Sequence, residues 1–246
     1  SADNRCLIID GVLNSFAPAG LTTYTIPNNV IEIGYNAFYN CSNLLSVEIP
    51  NGITVIGVSA FSNCTGLTSV DIPSGVITID NSAFYGCKRL ARIAIPNTVT
   101  SIGQGAFGGC NSLKTITIPE SVTTIGEEAF AYCRNLESIN IPNNVTEIKY
   151  RTFSGCAKLP YITIPEGVTS IGEAAFQYCS SLTNVSIPNS VAEIGEDAFS
   201  YCSGFDYLVS FCVLFICFIS LRIFCLRALA FFSEMEIFAK TMIGAI

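Results

Sequence analysis

Cysteines and carboxylates are the side chains of this 246-residue sequence that could do chemistry, because it contains no histidine. Eight of the twelve cysteines recur every 23 residues, at Cys41, Cys64, Cys87, Cys110, Cys133, Cys156, Cys179 and Cys202. No CxxC pair accompanies them, so a zinc site has little support. A disulfide needs two thiols that point towards each other, whereas a repeated column points its thiols in parallel. The spacing therefore predicts small, buried, apolar side chains, and it assigns no role to Cys6, Cys212, Cys217 or Cys225.

No set of residues in the sequence fits a catalytic site. Without histidine, neither a Ser-His nor a Cys-His pair can activate a nucleophile. The acidic residues Glu127, Glu128, Glu173, Glu196 and Asp197 recur at one place in the repeat, where they are interpreted as charges that favour the exposed amides at the start of a turn. The sequence therefore predicts a protein that is not an enzyme, with no catalytic residues, no cofactor and no metal site.

The elements that carry these residues form a regular repeat. Proline holds the 23-residue spacing at Pro27, Pro50, Pro73, Pro96, Pro119, Pro142, Pro165 and Pro188. Phenylalanine does so at Phe38, Phe61, Phe84, Phe107, Phe130, Phe153, Phe176 and Phe199. Three columns with one period indicate a stacked array. The consensus is LxxIxIPxxVTxIGxxAFxxCxx, and eight copies run over residues 21–204.

Each repeat predicts two short extended pieces and one tight turn. Ile116 and Ile118 alternate as in a strand with one buried face, and Pro119 ends that strand and enters a turn as its second residue. A second extended piece closes at Gly126, a position that predicts a positive backbone angle or a close approach of two chain segments. The spacing of Ala129, Phe130 and Cys133 then predicts a short helical or 3₁₀ turn.

The repeat resembles that of the BspA-like, or treponemal-type, leucine-rich repeat proteins, whose unit reads LxxLxLPxxLxxIGxxAFxxC. This resemblance implies a leucine-rich-repeat solenoid of eight stacked 23-residue coils, built mainly from short β-strands with short helical or 3₁₀ turns. It also implies a cell-surface adhesion or recognition protein that binds host extracellular matrix proteins. The alternative is a structural or self-assembling scaffold with no host ligand.

The strand side chains that point away from the core form the candidate protein-binding face. They give a broad polar strip, which suits a protein partner better than a small molecule. Six of them are the candidate binding residues: Glu48, Asp71, Arg92, Thr115, Tyr161 and Asn184. Solvated strand residues with no partner are the alternative interpretation. Carbohydrate binding has less support, because the chain has no tryptophan to stack on a sugar.

The net charge of −7 argues against nucleic acid as a partner, since no basic stripe accompanies it. All of this charge lies in residues 1–204, because the acidic and basic residues of the tail cancel.

The two ends of the chain depart from the repeat. Residues 1–20 predict a hairpin around Asp10-Gly11 that caps the first coil. Residues 205–246 form an apolar tail, in which 207–232 is interpreted as a membrane anchor, a hydrophobic cap or a non-native ending. An anchor would place the repeats outside the cell, so the expected location is extracellular or at the cell surface.

Overall fold

A computed structural model describes residues 5–205 of the chain, so the predictions for residues 206–246 lie outside the described residues. The described part begins with an antiparallel hairpin of β1 (Cys6–Ile9) and β2 (Val12–Phe16). Asp10 and Gly11 join the strands with φ of 50° and 80°, the positive angles that a tight two-residue hairpin turn requires. The hairpin continues into the repeats, because β2 pairs in parallel with the next extended piece, at residues 32–33.

Eight coils follow, and each contributes one strand to a column that we call the first strands. They are β3 (Thr23–Thr25), β5 (Ser46–Glu48), β7 (Ser69–Asp71), β9 (Arg92–Ala94), β11 (Thr115–Ile116), β13 (Ser138–Ile139), β15 (Tyr161–Thr163) and β17 (Asn184–Ser186). The second strands are β4 (Glu32–Ile33), β6 (Val55–Ile56), β8 (Thr78–Ile79), β10 (Ser101–Ile102), β12 (Thr124–Ile125), β14 (Glu147–Ile148), β16 (Ser170–Ile171) and β18 (Glu193–Ile194). The predicted solenoid of eight 23-residue coils is confirmed.

Neighbouring coils pair in parallel with a register of 23 residues, but neither column is continuous. The second strands form one sheet in the order β1-β2-β4-β6-β8-β10-β12 and another in the order β14-β16-β18. The first strands form three sheets, β3-β5-β7-β9, β11-β13 and β15-β17. The first-strand ladder is therefore interrupted between β9 and β11 and again between β13 and β15.

The core consists of columns of identical side chains stacked along the solenoid. Seven of the eight repeat phenylalanines are almost fully buried, and the rings from Phe38 to Phe199 are stacked with centroids 4.9 to 5.7 Å apart. Phe16 of the hairpin lies 4.8 Å from Phe38, so β2 closes the N-terminal end of this column. One coil cannot bury its own apolar row, and stacking supplies the burial that stabilises all of them.

The predicted helical or 3₁₀ turn is wrong, because the segment after each second strand is a series of separate turns. In coil 4, the amide of Ala106 donates to the carbonyl of Gly103 at 3.3 Å, whereas the amide of Phe107 donates to Ala129 in the next coil at 2.8 Å. Alternate amides thus bond within the segment and across to the neighbouring coil. A helix would keep all of these amides for its own carbonyls, so the ladder between coils excludes it. With no helix in residues 5–205, a helix dipole cannot explain the carboxylates that open these turns.

Two other local predictions are decided by a hydrogen bond within each coil and by contacts between coils. The turn after each first strand closes with a bond from the amide of Val122 to the carbonyl of Pro119 at 3.0 Å, which makes proline the first residue of the turn and not the second. Glycine ends six of the eight second strands, with Asp80 and Lys149 at the other two, and none of these glycines has positive φ. The structure shows the other predicted alternative, a close approach, because a Cβ at Gly57 would lie 2.6 Å from the carbonyl oxygen of Ile33 in the preceding coil.

Candidate functional site

The outward side chains of the first strands form one continuous face, which we call the first-strand face. All six candidate residues lie on it and are exposed. They alternate with buried residues such as Val47, Val70 and Ile93, as expected for a strand with one face in the core. The structure does not gather the six into one cluster, since coil 6 contributes none of them.

A groove on this face brings three of the six together, namely Asp71, Arg92 and Thr115 from coils 3, 4 and 5. Its volume is about 540 Å³, and it is open to solvent along the strands. Asp71 is paired in register with Ala94, the smallest side chain in its column, so a depression forms where the neighbouring coils carry longer side chains. The groove thus combines a cation, a carboxylate and a hydroxyl with apolar residues such as Ala94 and Ile95.

The groove coincides with the first interruption of the first-strand ladder. β9 is paired with β7 on one side, but it has no ladder to β11 on the other. The two strands still belong to neighbouring coils, so the interruption is a local change in the stacking of the first-strand face. At the next pair, β11 and β13, a side chain extends the ladder: Asn140 accepts from the amide of Ile118 at 2.8 Å and donates to its carbonyl at 2.7 Å.

The other three candidate residues occupy the two ends of the first-strand face. Glu48 lies in coil 2, where its carboxylate accepts a hydrogen bond from the Thr25 hydroxyl at 2.8 Å. Tyr161 and Asn184 are register partners in β15 and β17, and the Tyr161 side chain is 58% exposed. The face therefore has an acidic end in coils 2 and 3, a cation in coil 4 and an aromatic ring in coil 7.

The repeat architecture and this face can now be compared with known proteins. The sequence profile of the BspA type leucine-rich repeat region matches residues 13–137 and 102–209, with six copies. The chain belongs to the BspA-type leucine-rich repeat family. Members of this family are often cell-surface proteins, and solenoids of this kind present extended surfaces that generally mediate protein interactions. No curated protein matches the chain.

Two solved structures resemble this BspA-type array. A leucine-rich repeat protein from Bacteroides ovatus is 37% identical with a TM-score of 0.72, over 78% of this chain and 51% of that chain. The leucine-rich repeat protein of T. pallidum is 27% identical with a TM-score of 0.65, over 83% of this chain and 87% of that one. The chain thus spans about half the length of the Bacteroides ovatus protein.

The cysteine column of the BspA-type array consists of buried thiols that form no disulfide. All eight column cysteines are buried and free, which confirms the prediction of small apolar core residues. Each thiol from Cys64 onwards donates to the carbonyl of a phenylalanine in the preceding coil, as from Cys133 to Phe107 at 3.1 Å. Burial raises the pKa of Cys87 and Cys133 to about 12, so these thiols stay protonated at neutral pH. Outside this column, the Cys6 sulfur accepts a hydrogen bond from the Tyr24 hydroxyl at 3.2 Å.

Residues 5–205 of the BspA-type array lack two further kinds of feature. Within that range, no three side chains of histidine, cysteine, aspartate or glutamate come together in a way that could hold a metal ion. The same range contains no helical stretch with the length and hydrophobicity that crossing a bilayer needs.

The sequence reasoning missed a set of tyrosines on the segment that runs from the glycine to the cysteine of each coil, which we call the turn edge. Tyr132, Tyr178 and Tyr201 are exposed there, two residues after the buried phenylalanine. Their backbone angles φ are 57°, 61° and 61°, in the left-handed region. A signal was available, because Asn40, Asn63, Gly86, Gly109 and Gly155 fill the same position in the other coils. Asparagine and glycine at one recurrent position indicate positive φ, and tyrosine is out of place there.

Proposed function

We propose that this protein is a cell-surface adhesion or recognition protein that binds a host extracellular or cell-surface protein through its first-strand face. The observation that carries the proposal is the groove of Asp71, Arg92 and Thr115 at the interruption between β9 and β11. A shallow, open and polar groove suits a protein segment better than a small molecule, which normally needs an enclosed apolar pocket. Matrix proteins such as fibronectin and fibrinogen are the proposed partners.

Arg92 and Tyr161 are the proposed energetic centres of this interface. Both are exposed on the first-strand face, and arginine and tyrosine are enriched among residues whose truncation weakens protein complexes. Asp71, Glu48, Thr115 and Asn184 add the polar groups of the rim. The first-strand face offers no stretch of basic residues, which agrees with a protein rather than a nucleic acid as partner.

The experiment measures binding of the full chain to immobilised fibronectin and fibrinogen by surface plasmon resonance. We expect saturable binding that weakens at least about tenfold when Arg92→Ala and Tyr161→Ala are combined, since hot-spot truncations each cost roughly 2 kcal/mol or more. The matched control combines Arg89→Ala and Tyr85→Ala, which removes the same residue types from exposed positions outside the first-strand face. Equal loss in both variants, or no saturable binding by the parent, would refute the proposal.

A second pair of variants tests the groove itself without changing the charge. Ala94→Gln fills the depression, whereas Thr124→Gln enlarges an exposed side chain on a second strand, outside the first-strand face. Selective loss of binding in Ala94→Gln places the ligand in the groove. The alternative function, a scaffold that assembles with itself, predicts concentration-dependent self-association in sedimentation velocity with no binding to matrix proteins.

We also propose that the array is displayed outside the cell and anchored through residues 207–232. The support is the amino-acid sequence of that segment, in which Tyr207 to Leu221 contain no charged residue and Arg222 and Arg227 follow. The test compares the full chain with a version that ends at Ser203, by detergent phase partition and flotation on lipid vesicles. Selective partition of the full chain in high salt supports an anchor, and an aqueous location of both versions rules it out.

A further inference from the structure

Three exposed tyrosines form a strip along the turn edge of coils 5 to 8, on a different side of the solenoid from the first-strand face. The side chains of Tyr132, Tyr178 and Tyr201 are 43%, 47% and 63% exposed. The rings of Tyr178 and Tyr201 are stacked, with centroids 4.6 Å apart and planes at 10°. Tyr132 extends over coil 6, because a Cβ at Gly155 would lie 2.7 Å from its Cδ1. The missing side chain of Gly155 makes room for this ring.

The backbone of these tyrosines is unfavourable for the residues that occupy it. All three adopt left-handed φ, which is less favourable for a residue with a bulky side chain than for glycine. The other five coils use asparagine or glycine at this position, so the fold itself does not require tyrosine there. Side chains that are exposed in this way contribute little to the core, and tyrosine is enriched at protein interfaces.

Acidic residues accompany the tyrosine strip. In coils 5 to 8, five carboxylates lie on the turn edge near its start, at Glu127, Glu128, Glu173, Glu196 and Asp197. The same segments of coils 1 to 4 contain one, Asp80. Asp197 accepts a hydrogen bond from Ser200 at 2.5 Å, which fixes its carboxylate next to the residue that precedes Tyr201. Five carboxylates thus share the turn edge of coils 5 to 8 with the three left-handed tyrosines and with two cations of coil 6, Lys149 and Arg151.

We propose that Tyr132, Tyr178 and Tyr201 form a second docking surface, which binds an arginine- or lysine-rich segment of a partner protein. Cationic side chains are attracted both to aromatic rings and to the neighbouring carboxylates. The turn edge already contains one such contact, since the Arg151 guanidinium lies 4.9 Å from the centre of the Tyr150 ring in coil 6.

The test measures binding of a fluorescein-labelled nona-arginine peptide to the full chain by fluorescence anisotropy at physiological ionic strength. The variant replaces all three strip tyrosines by asparagine, the residue that coils 1 and 2 use at this position. We expect its Kd to rise at least about tenfold, since exposed cation–π contacts each change affinity by a few-fold. The net charge of the protein is unchanged, so attraction by charge alone would leave the affinity as it was and would overturn the proposal.

The matched control replaces three exposed tyrosines of coils 1 to 3, Tyr35, Tyr39 and Tyr85, by asparagine. We expect this control to bind the peptide as the parent does, and an equal loss in both variants would contradict a specific strip. Folding is followed by urea unfolding. The strip variant should unfold at the same urea concentration as the parent or a higher one, because asparagine tolerates left-handed φ. Tyr201→Phe keeps the ring and should keep the binding, whereas a loss there would assign the recognition to the hydroxyl group.

Discussion

Truncation of Phe107 tests whether the stacked rings hold the solenoid together. Phe107 is fully buried, and its ring lies 5.5 Å from that of Phe84 and 5.4 Å from that of Phe130. Phe107→Ala removes a complete aromatic side chain from a core that cannot collapse, since the coils on both sides are held by backbone ladders. We expect a loss of about 3 to 5 kcal/mol, the usual range for a buried phenylalanine.

The measurement is equilibrium unfolding in urea followed by circular dichroism. Phe107→Leu separates burial from ring stacking, because it keeps most of the volume and loses the two ring contacts, each worth about 0.5 to 1.5 kcal/mol. The matched control is Phe199→Ala in the last coil, where the ring is less buried and the next ring, Phe205, is edge-on at 6.3 Å. An unfolding midpoint of Phe107→Ala equal to that of the parent, or a larger loss for Phe199→Ala, would refute the reasoning.

Two further predictions concern the thiols and the contacts between coils. Burial raises the pKa of Cys87 and Cys133 to about 12 in the folded protein, whereas an unfolded thiol titrates near about 8.5. Unfolding therefore releases protons at high pH, so the stability that these thiols contribute below about pH 8.5 is lost as the pH rises towards 12. The urea concentration at the unfolding midpoint should decrease as the pH rises from 8 to 10. It should decrease less steeply when both cysteines are changed to alanine, and an equal slope in the two proteins would contradict buried protonated thiols. Gly57→Ala should cost about 1 to 3 kcal/mol, because its Cβ would meet the Ile33 carbonyl oxygen. Gly52→Ala, with 3.7 Å to the nearest atom, should be close to neutral in the same urea assay, and equal midpoints of the two variants would show that the coils can separate.

The predicted binding residues show how far a repeat can be read without a structure. The alternation in Tyr161, Ile162 and Thr163 is enough to assign two outward side chains and one inward side chain, and the structure places them so. The sequence does not reveal that Asp71, Arg92 and Thr115 share a groove, because they come from three coils that meet only in the stacked array. Left-handed φ at the tyrosine strip could have been read from the asparagine and glycine of the other five coils, whereas the stacking of Tyr178 on Tyr201 depends on contact between coils.

The amino-acid sequence by itself determined the number of coils and which side chains fill the core. Because proline, phenylalanine and cysteine keep one period over eight copies, each type occupies the same place in every coil. The phenylalanine and cysteine columns therefore lie in the core. The tertiary structure decided the conformation of the turn edge. Bonds such as that from Phe107 to Ala129 join residues 22 apart, and they exist only once two coils are in contact. The local spacing of the residues predicted a helical turn. Stacking replaced it with a ladder, because the bonds between coils use the amides that a helix needs.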